Sequence, residues 1–175
     1  MKSVAVVGLG VIALTTGAFV AAPSSYFEAA VEGAVAARPS GEVAFGVVGD
    51  SATGGPAFTI TLGAEGASGA ILFTSLEDTV PAPGRYAVSE HAAKGAAGFT
   101  ASYVAGSVEH PTGLYRAERG TLEITESSPE HISGHFSFTG TGFAAVDPSD
   151  DGSEVTVNGV FTSTRPASAT RPAQP

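Results

Sequence analysis

The chain contains no cysteine and no tryptophan. Without thiols it can build no disulfide, no thiolate zinc site and no cysteine nucleophile, and it lacks the cysteine on which a lipoprotein is anchored. Without tryptophan, the side chain most often used to stack against sugar rings is missing. Basic charge is scarce as well: eight Lys or Arg stand against 17 Asp or Glu, for a formal net charge of −9. A phosphate backbone repels such a surface and no basic stripe runs along the chain, which excludes nucleic acid as a partner and electrostatic docking on anionic lipid. The acidic balance suits the solubility of an exported domain. Aromatic residues make up only 8% of the chain, so the 43% that is hydrophobic is mostly small, and 23 residues are glycine. A core with few large side chains must be shared among many strands, and glycine-rich connections suit tight turns.

The first forty residues differ from the rest. Lys2 supplies positive charge ahead of a stretch from Ser3 to Phe27 with no charged side chain. Within it, Val4 to Ala22 is an apolar run of 19 residues, which as a helix rising about 1.5 Å per residue nearly spans a hydrocarbon core of roughly 30 Å. Residues 1–22 therefore read as an export signal or an uncleaved membrane anchor, with Val4, Val7, Leu9, Ile12, Leu14 and Phe19 as the lipid-facing anchor residues. The same run contains Gly8-Leu9-Gly10-Val11-Ile12-Ala13, a match to the dinucleotide-binding G-x-G-x-x-A pattern. That motif needs a βαβ unit with a half-polar helix, and this run has no charged face. Residues 23–40 are expected to form a short helix and linker. Ser25-Tyr26-Phe27-Glu28 fits a capping box, and Phe27, Ala30, Val31 and Ala34 would share one helical face.

From Gly41 the pattern changes to period two. Phe58-Thr59-Ile60-Thr61-Leu62 places three apolar side chains on one face and two threonines on the other. Similar runs cover Val43 to Val48, Ala70 to Thr74, Arg85 to Ser89, Phe99 to Val104, Gly113 to Ala117, Thr121 to Thr125, Ile132 to Thr139 and Val155 to Thr162. Gly- and Pro-rich segments separate them. One-sided alternation argues against a parallel sheet buried on both faces. About nine short antiparallel strands over residues 41–164 predict an all-β fold, an antiparallel β-sandwich, with a closed β-barrel as the alternative. Glu77 to Val80 and Glu90 to Ala97 are the only other places for a helical turn. Residues 165–175 form a proline-rich tail without alternation and are expected to be disordered.

Three segments carry a resemblance. Gly120-Thr121-Leu122-Glu123-Ile124-Thr125, then Ile132-Ser133-Gly134-His135-Phe136-Ser137-Phe138-Thr139-Gly140, then Val155-Thr156-Val157-Asn158-Gly159-Val160-Phe161 are similar to the closing strands of small bacterial envelope β domains, often lipoproteins, that end in a GTLTIT…SGTFSFT…VTVTNGTF pattern. The resemblance implies an all-β fold and an envelope location, and brings no functional residue with it. The same residues also make physical sense alone: Ile132, Phe136 and Phe138 share a face, and Gly134 and Gly159 fall on apolar faces where an aromatic ring can cover the backbone.

Chemistry is sparse. Gly49-Asp50-Ser51 resembles the nucleophile block of one class of serine esterases, but Gly54-Gly55-Pro56 and a strand follow, which suits a hairpin loop better. His131 and His135 would share one metal on a helix; on a strand they lie about 13 Å apart and read as surface residues, as do His91 and His110. Asp147, Ser149 and Asp151, with Gly152 next, match the first half of a calcium loop, although Asn158 stands where a bidentate glutamate belongs. Glu123 alone does not make the carboxylate pair of a glycoside hydrolase. Three functions follow in order of support. The first is a non-enzymatic structural or interaction domain, on the periplasmic face of the inner membrane or exported, that meets a protein partner such as a membrane complex. The second is a barrel holding a small apolar ligand among Phe45, Phe58, Phe73, Phe99, Tyr103 and Phe136. The third is an envelope hydrolase.

Overall fold

The computed structural model describes residues 25–50, 55–63, 68–91, 97–144 and 152–164. The apolar segment 1–22, the acidic loop with Asp147, Ser149 and Asp151, and the tail 165–175 lie outside the described residues. The chain is all-β, with strands β1 (Ser25–Gly33), β2 (Ser40–Gly41), β3 (Val43–Asp50), β4 (Gly55–Leu62), β5 (Gly69–Ser75), β6 (Gly84–Ser89), β7 (Gly98–Gly106), β8 (Pro111–Ser127), β9 (His131–Ala144) and β10 (Ser153–Thr164). They form one continuous sheet in the order β2-β1-β10-β9-β8-β6-β7-β5-β4-β3, with β8 also pairing β7. Every pairing is antiparallel except the short β6–β7 contact. Among the described residues the ladder does not close into the barrel, and the strands belong to one sheet rather than two.

The sheet is nevertheless rolled around its core. Three strands, β8, β6 and β7, lie between β9 and β5 in this order, which on a flat sheet would hold them about 19 Å apart. Yet the rings of Phe73 on β5 and Phe136 on β9 meet edge to face with centroids 5.2 Å apart. Aromatic pairs prefer this geometry, and here it bridges the roll. One cluster of buried residues joins the strands: Phe27 and Val31 from β1, Ile60 and Leu62 from β4, Leu122 and Ile124 from β8, Val155 and Val157 from β10. The six aromatic residues read as ligand-lining all belong to this core, each at most 9% exposed.

Three features differ from the sequence reading. Residues 26–37 form no helix; β1 pairs along its whole length with β10, from Ser25 opposite Ser163 to Gly33 opposite Val155. Alanines at 29 and 30 fit either period, and the backbone ladder offered by β10 decides for the strand. The sheet therefore takes in residues 25–41 as well. Second, the expected strands 113–117 and 121–125 are the two halves of β8. Core-facing positions are Tyr115 and Ala117 before the break but Leu122 and Ile124 after it, because a bulge between Ala117 and Arg119 shifts the alternation by one. The bulge also lets β8 change neighbours, from β7 over its first half to β6 over its second. Third, Glu77 to Val80 makes bends rather than a helical turn.

The glycines on the apolar faces are covered as expected. A Cβ at Gly159 would lie 2.5 Å from the Phe136 ring and 2.6 Å from the Glu28 carbonyl. Gly159→Ala should therefore lower stability by about 1–3 kcal/mol through overpacking, read from urea unfolding; an unchanged midpoint would contradict this packing. Tyr103 is fully buried against Tyr115, and its hydroxyl finds no hydrogen-bond partner among the described residues. Burial, and then the neighbouring Tyr115, raise its ionisation above the ordinary tyrosine value near 10. Its contribution is then complete below about pH 10 and is lost as pH rises further, because the unfolded chain gives up the proton first. Tyr103→Phe should leave neutral-pH stability unchanged or raise it by up to about 1 kcal/mol, and should flatten the alkaline fall. Denaturant midpoints across that pH range test this, and an equally steep fall would refute it.

Candidate functional site

An open sheet has two edges, and the chain treats them differently. Beyond β1 the backbone turns back and covers that edge itself. Phe27 pairs with Gly41 and Glu28 with Ser40. Ala29 donates to the Pro39 carbonyl at 2.9 Å, and Val31 and Ala37 exchange bonds of 2.9 and 3.1 Å. At Glu42 the chain changes sides: the Gly63 N–H reaches the Glu42 carbonyl at 2.9 Å, and β3 then runs along β4 from Val43 opposite Leu62 to Asp50 opposite Gly55.

The first residue of β3 is tied on its other side. The Ser25 hydroxyl accepts the Val43 N–H at 3.0 Å and donates to the Val43 carbonyl, and the buried Ser163 hydroxyl donates to that carbonyl at 2.9 Å. Beyond Val43, no strand lies against the outer edge of β3 among the described residues. Alternate backbone N–H and C=O groups of an antiparallel strand point to that side. The sequence VAFGVVGD carries no charge before Asp50, and no lysine, proline or bulge, which are the usual guards of an exposed edge.

Side chains around this edge are equally unfinished. Val47 pairs with Phe58, which is fully buried, so Val47 lies on the core side of the sheet; it is nevertheless 46% exposed. Val48 on the opposite face is 48% exposed. A groove of about 550 Å³ runs along the strand, lined by Ala44, Val47, Val48, Thr59, Val80 and Pro129. An outer edge that no described strand covers from Gly46 to Gly49, beside a weakly polar groove, is what strand addition needs.

A larger hollow of about 710 Å³ lies on the polar outer face of β1, β9 and β10, among Tyr26, Glu28, Arg38, His135, Asn158 and Val160. Within it the Tyr26 hydroxyl donates to Glu28 at 3.3 Å, and His135 meets Glu123, which lies outside the hollow, at 3.3 Å. Desolvation, with Glu28 as the second cause, raises the Tyr26 phenol above its ordinary range.

The histidines take the surface positions expected of a strand. His131 and His135 face outward on β9, each beside its own glutamate, Glu126 at 2.9 Å and Glu123 at 3.3 Å. His110 sits in the β7–β8 turn, where its N–H reaches Ser107, and His91 is exposed beside Glu90. The Thr164 hydroxyl lies 3.2 Å from His131 Nδ1, which makes a hydroxyl–imidazole–carboxylate chain that sequence spacing did not reveal. None of the three residues lines the grooves described above. Among the described residues no group of three His, Asp or Glu is placed to hold a metal ion. Asp50 closes β3 at a hairpin as expected, while Ser51 lies outside the described residues. The edge itself was not visible from the sequence, because being an edge depends on strand order. The signal that was present is the uncharged run Val43 to Gly49.

Comparison with protein-family models, with curated proteins and with solved structures finds no match to this chain.

Proposed function

We propose that this protein is a non-enzymatic interaction domain of the bacterial envelope, on the periplasmic face of the inner membrane or exported. In this reading it takes a strand of a partner protein onto β3. One observation carries it: the chain covers the β1 edge with its own residues 37–41, while among the described residues no strand covers the uncharged stretch Gly46 to Gly49 of β3. An edge of this kind is a liability in a domain that meets nothing. Main-chain bonds along Gly46 to Gly49 supply affinity in strand addition, and the groove beside Val47 and Val48 supplies selectivity for small apolar side chains. The apolar run at the N-terminus supports an envelope location and, where it is kept, a tether that holds the domain near a membrane complex. The acidic surface keeps the other faces soluble.

The test uses a photoreactive side chain at Ala44, which is exposed beside the groove, and another at Val160, exposed on the far face of β10. Irradiation in intact cells should give a discrete adduct with a second envelope protein from position 44 and none from position 160. Val48→Lys should abolish that adduct while changing folding stability by no more than about 0.5 kcal/mol. No adduct from position 44, equal adducts from both positions, or an adduct only with another copy of this chain would each contradict the reading.

A further inference from the structure

We propose that the outer face of β6, β8, β9, β10 and β1 binds a linear, uncharged polysaccharide, laid across the strands rather than along them. This is a second site, on a sheet face instead of a sheet edge, and it does not rest on the reading of β3.

The strand register lays out its floor. Ala87 stands opposite Thr121, Thr121 opposite Ser137, Ser137 opposite Asn158 and Asn158 opposite Ala30. The returning chain continues the line: Glu28 faces Ser40 and Val31 faces Ala37, which sets Arg38 opposite Ala30. Their strand neighbours Leu122, Phe136, Val157 and Ala29 point into the core, so this row points out. No side chain in it is larger than asparagine until Arg38 closes the end. The rows on either side are longer. Arg85, Glu123, His135, Val160 and Glu28 form one wall, and Arg119 and Thr139 stand in the other. The result is a trough. Hollows of about 710 and 560 Å³ lie along it and share His135 and Ser137. From β6 to β2 it crosses five strand spacings, about 24 Å.

The lining selects the ligand. Backbone groups here are bonded to neighbouring strands, so recognition falls to side chains. Arg38, Arg85 and Arg119 only donate hydrogen bonds, while Glu28 and Glu123 only accept them. Thr121, Ser137 and Asn158 on the floor do both. Three arginines against two glutamates leave the trough nearly balanced, on a chain whose net charge is −9. A polyanion would meet both glutamates, and a polycation all three arginines. Sugar hydroxyls donate and accept at once, so an uncharged glycan satisfies the whole set. Arg38 and Arg85 enter no ion pair among the described residues, which keeps their donors available. Tyr26 and Val160 add exposed apolar surface in the same hollow, where the C–H face of a sugar ring can stack in a chain without tryptophan. A straight trough of this length takes an extended chain and not a coiled one.

The test is a titration of the isotope-labelled full chain with cellohexaose and with chitohexaose, both extended and uncharged, read from amide chemical shifts. At least one should shift the Thr121, Ser137 and Asn158 amides saturably and leave those of β4 and β5 in place. Ser137→Tyr fills the floor at an exposed position and should weaken binding at least about tenfold. Asn158→Leu keeps the size, loses the amide and should weaken it about threefold or more. Leu72→Tyr, an equally exposed change on the outer face of β5, should leave it unaltered. Maltohexaose, which coils, and the galacturonate hexamer, which is charged on every ring, should each bind at least about tenfold more weakly. Shifts with neither extended hexasaccharide, shifts confined to β3 and β4, or equal weakening by Leu72→Tyr would overturn the proposal. Tighter binding of the galacturonate hexamer would overturn the uncharged class.

Discussion

Backbone hydrogen bonds in a sheet must be satisfied on both sides of every strand, and a sheet that does not close leaves two rows of them unpaired. Most of this molecule's architecture answers that demand. Nine strands follow one another in a ladder around the core, and β2, only two residues long, extends that ladder across β1. Ser25 and Ser163 then stitch the first residue of β3 to the seam through side chains where backbone pairing stops. What remains is a single stretch, Ala44 to Asp50, for which the described residues provide no neighbouring strand.

The long pair β8–β9 gives the roll its shape. Pairing runs from Gly113 opposite Ala144 to Ser127 opposite Ile132, interrupted by two bulges. Bulges add local twist, and this one near Glu118 both reverses the inward face and hands β8 from β7 to β6. With that twist the aromatic side chains of β9 reach across to β5, and Phe73 meets both Phe136 and Phe138. Glycines at 134 and 159 make room for Phe161 and Phe136 against the backbone. A core with few large residues is thus filled by placing rings over glycine.

Much of this was legible in the sequence. Alternation located seven of the ten strands closely, and the residues expected in the core are in it. The errors have physical causes. A bulge inside β8 broke the period and made one strand look like two. In β1, a capping-box match and paired alanines fit a helix as well as a strand, and only β10, more than 100 residues away, settles the choice. The candidate site was least legible, because a sequence states which residues suit a strand and not which strand lies last. The uncharged run from Val43 to Gly49 was visible; that it bounds the sheet was not.

The account holds that β3 is an edge open to a strand of a partner protein. Amide hydrogen exchange of the full chain, measured alone and in complex with the envelope protein captured at position 44, tests it most directly. Exchange at the Val47 and Gly49 amides should be fast in the chain alone and slow in the complex, while amides of β8 and β9 stay protected in both. Identical exchange along β3 in the two conditions would contradict the account.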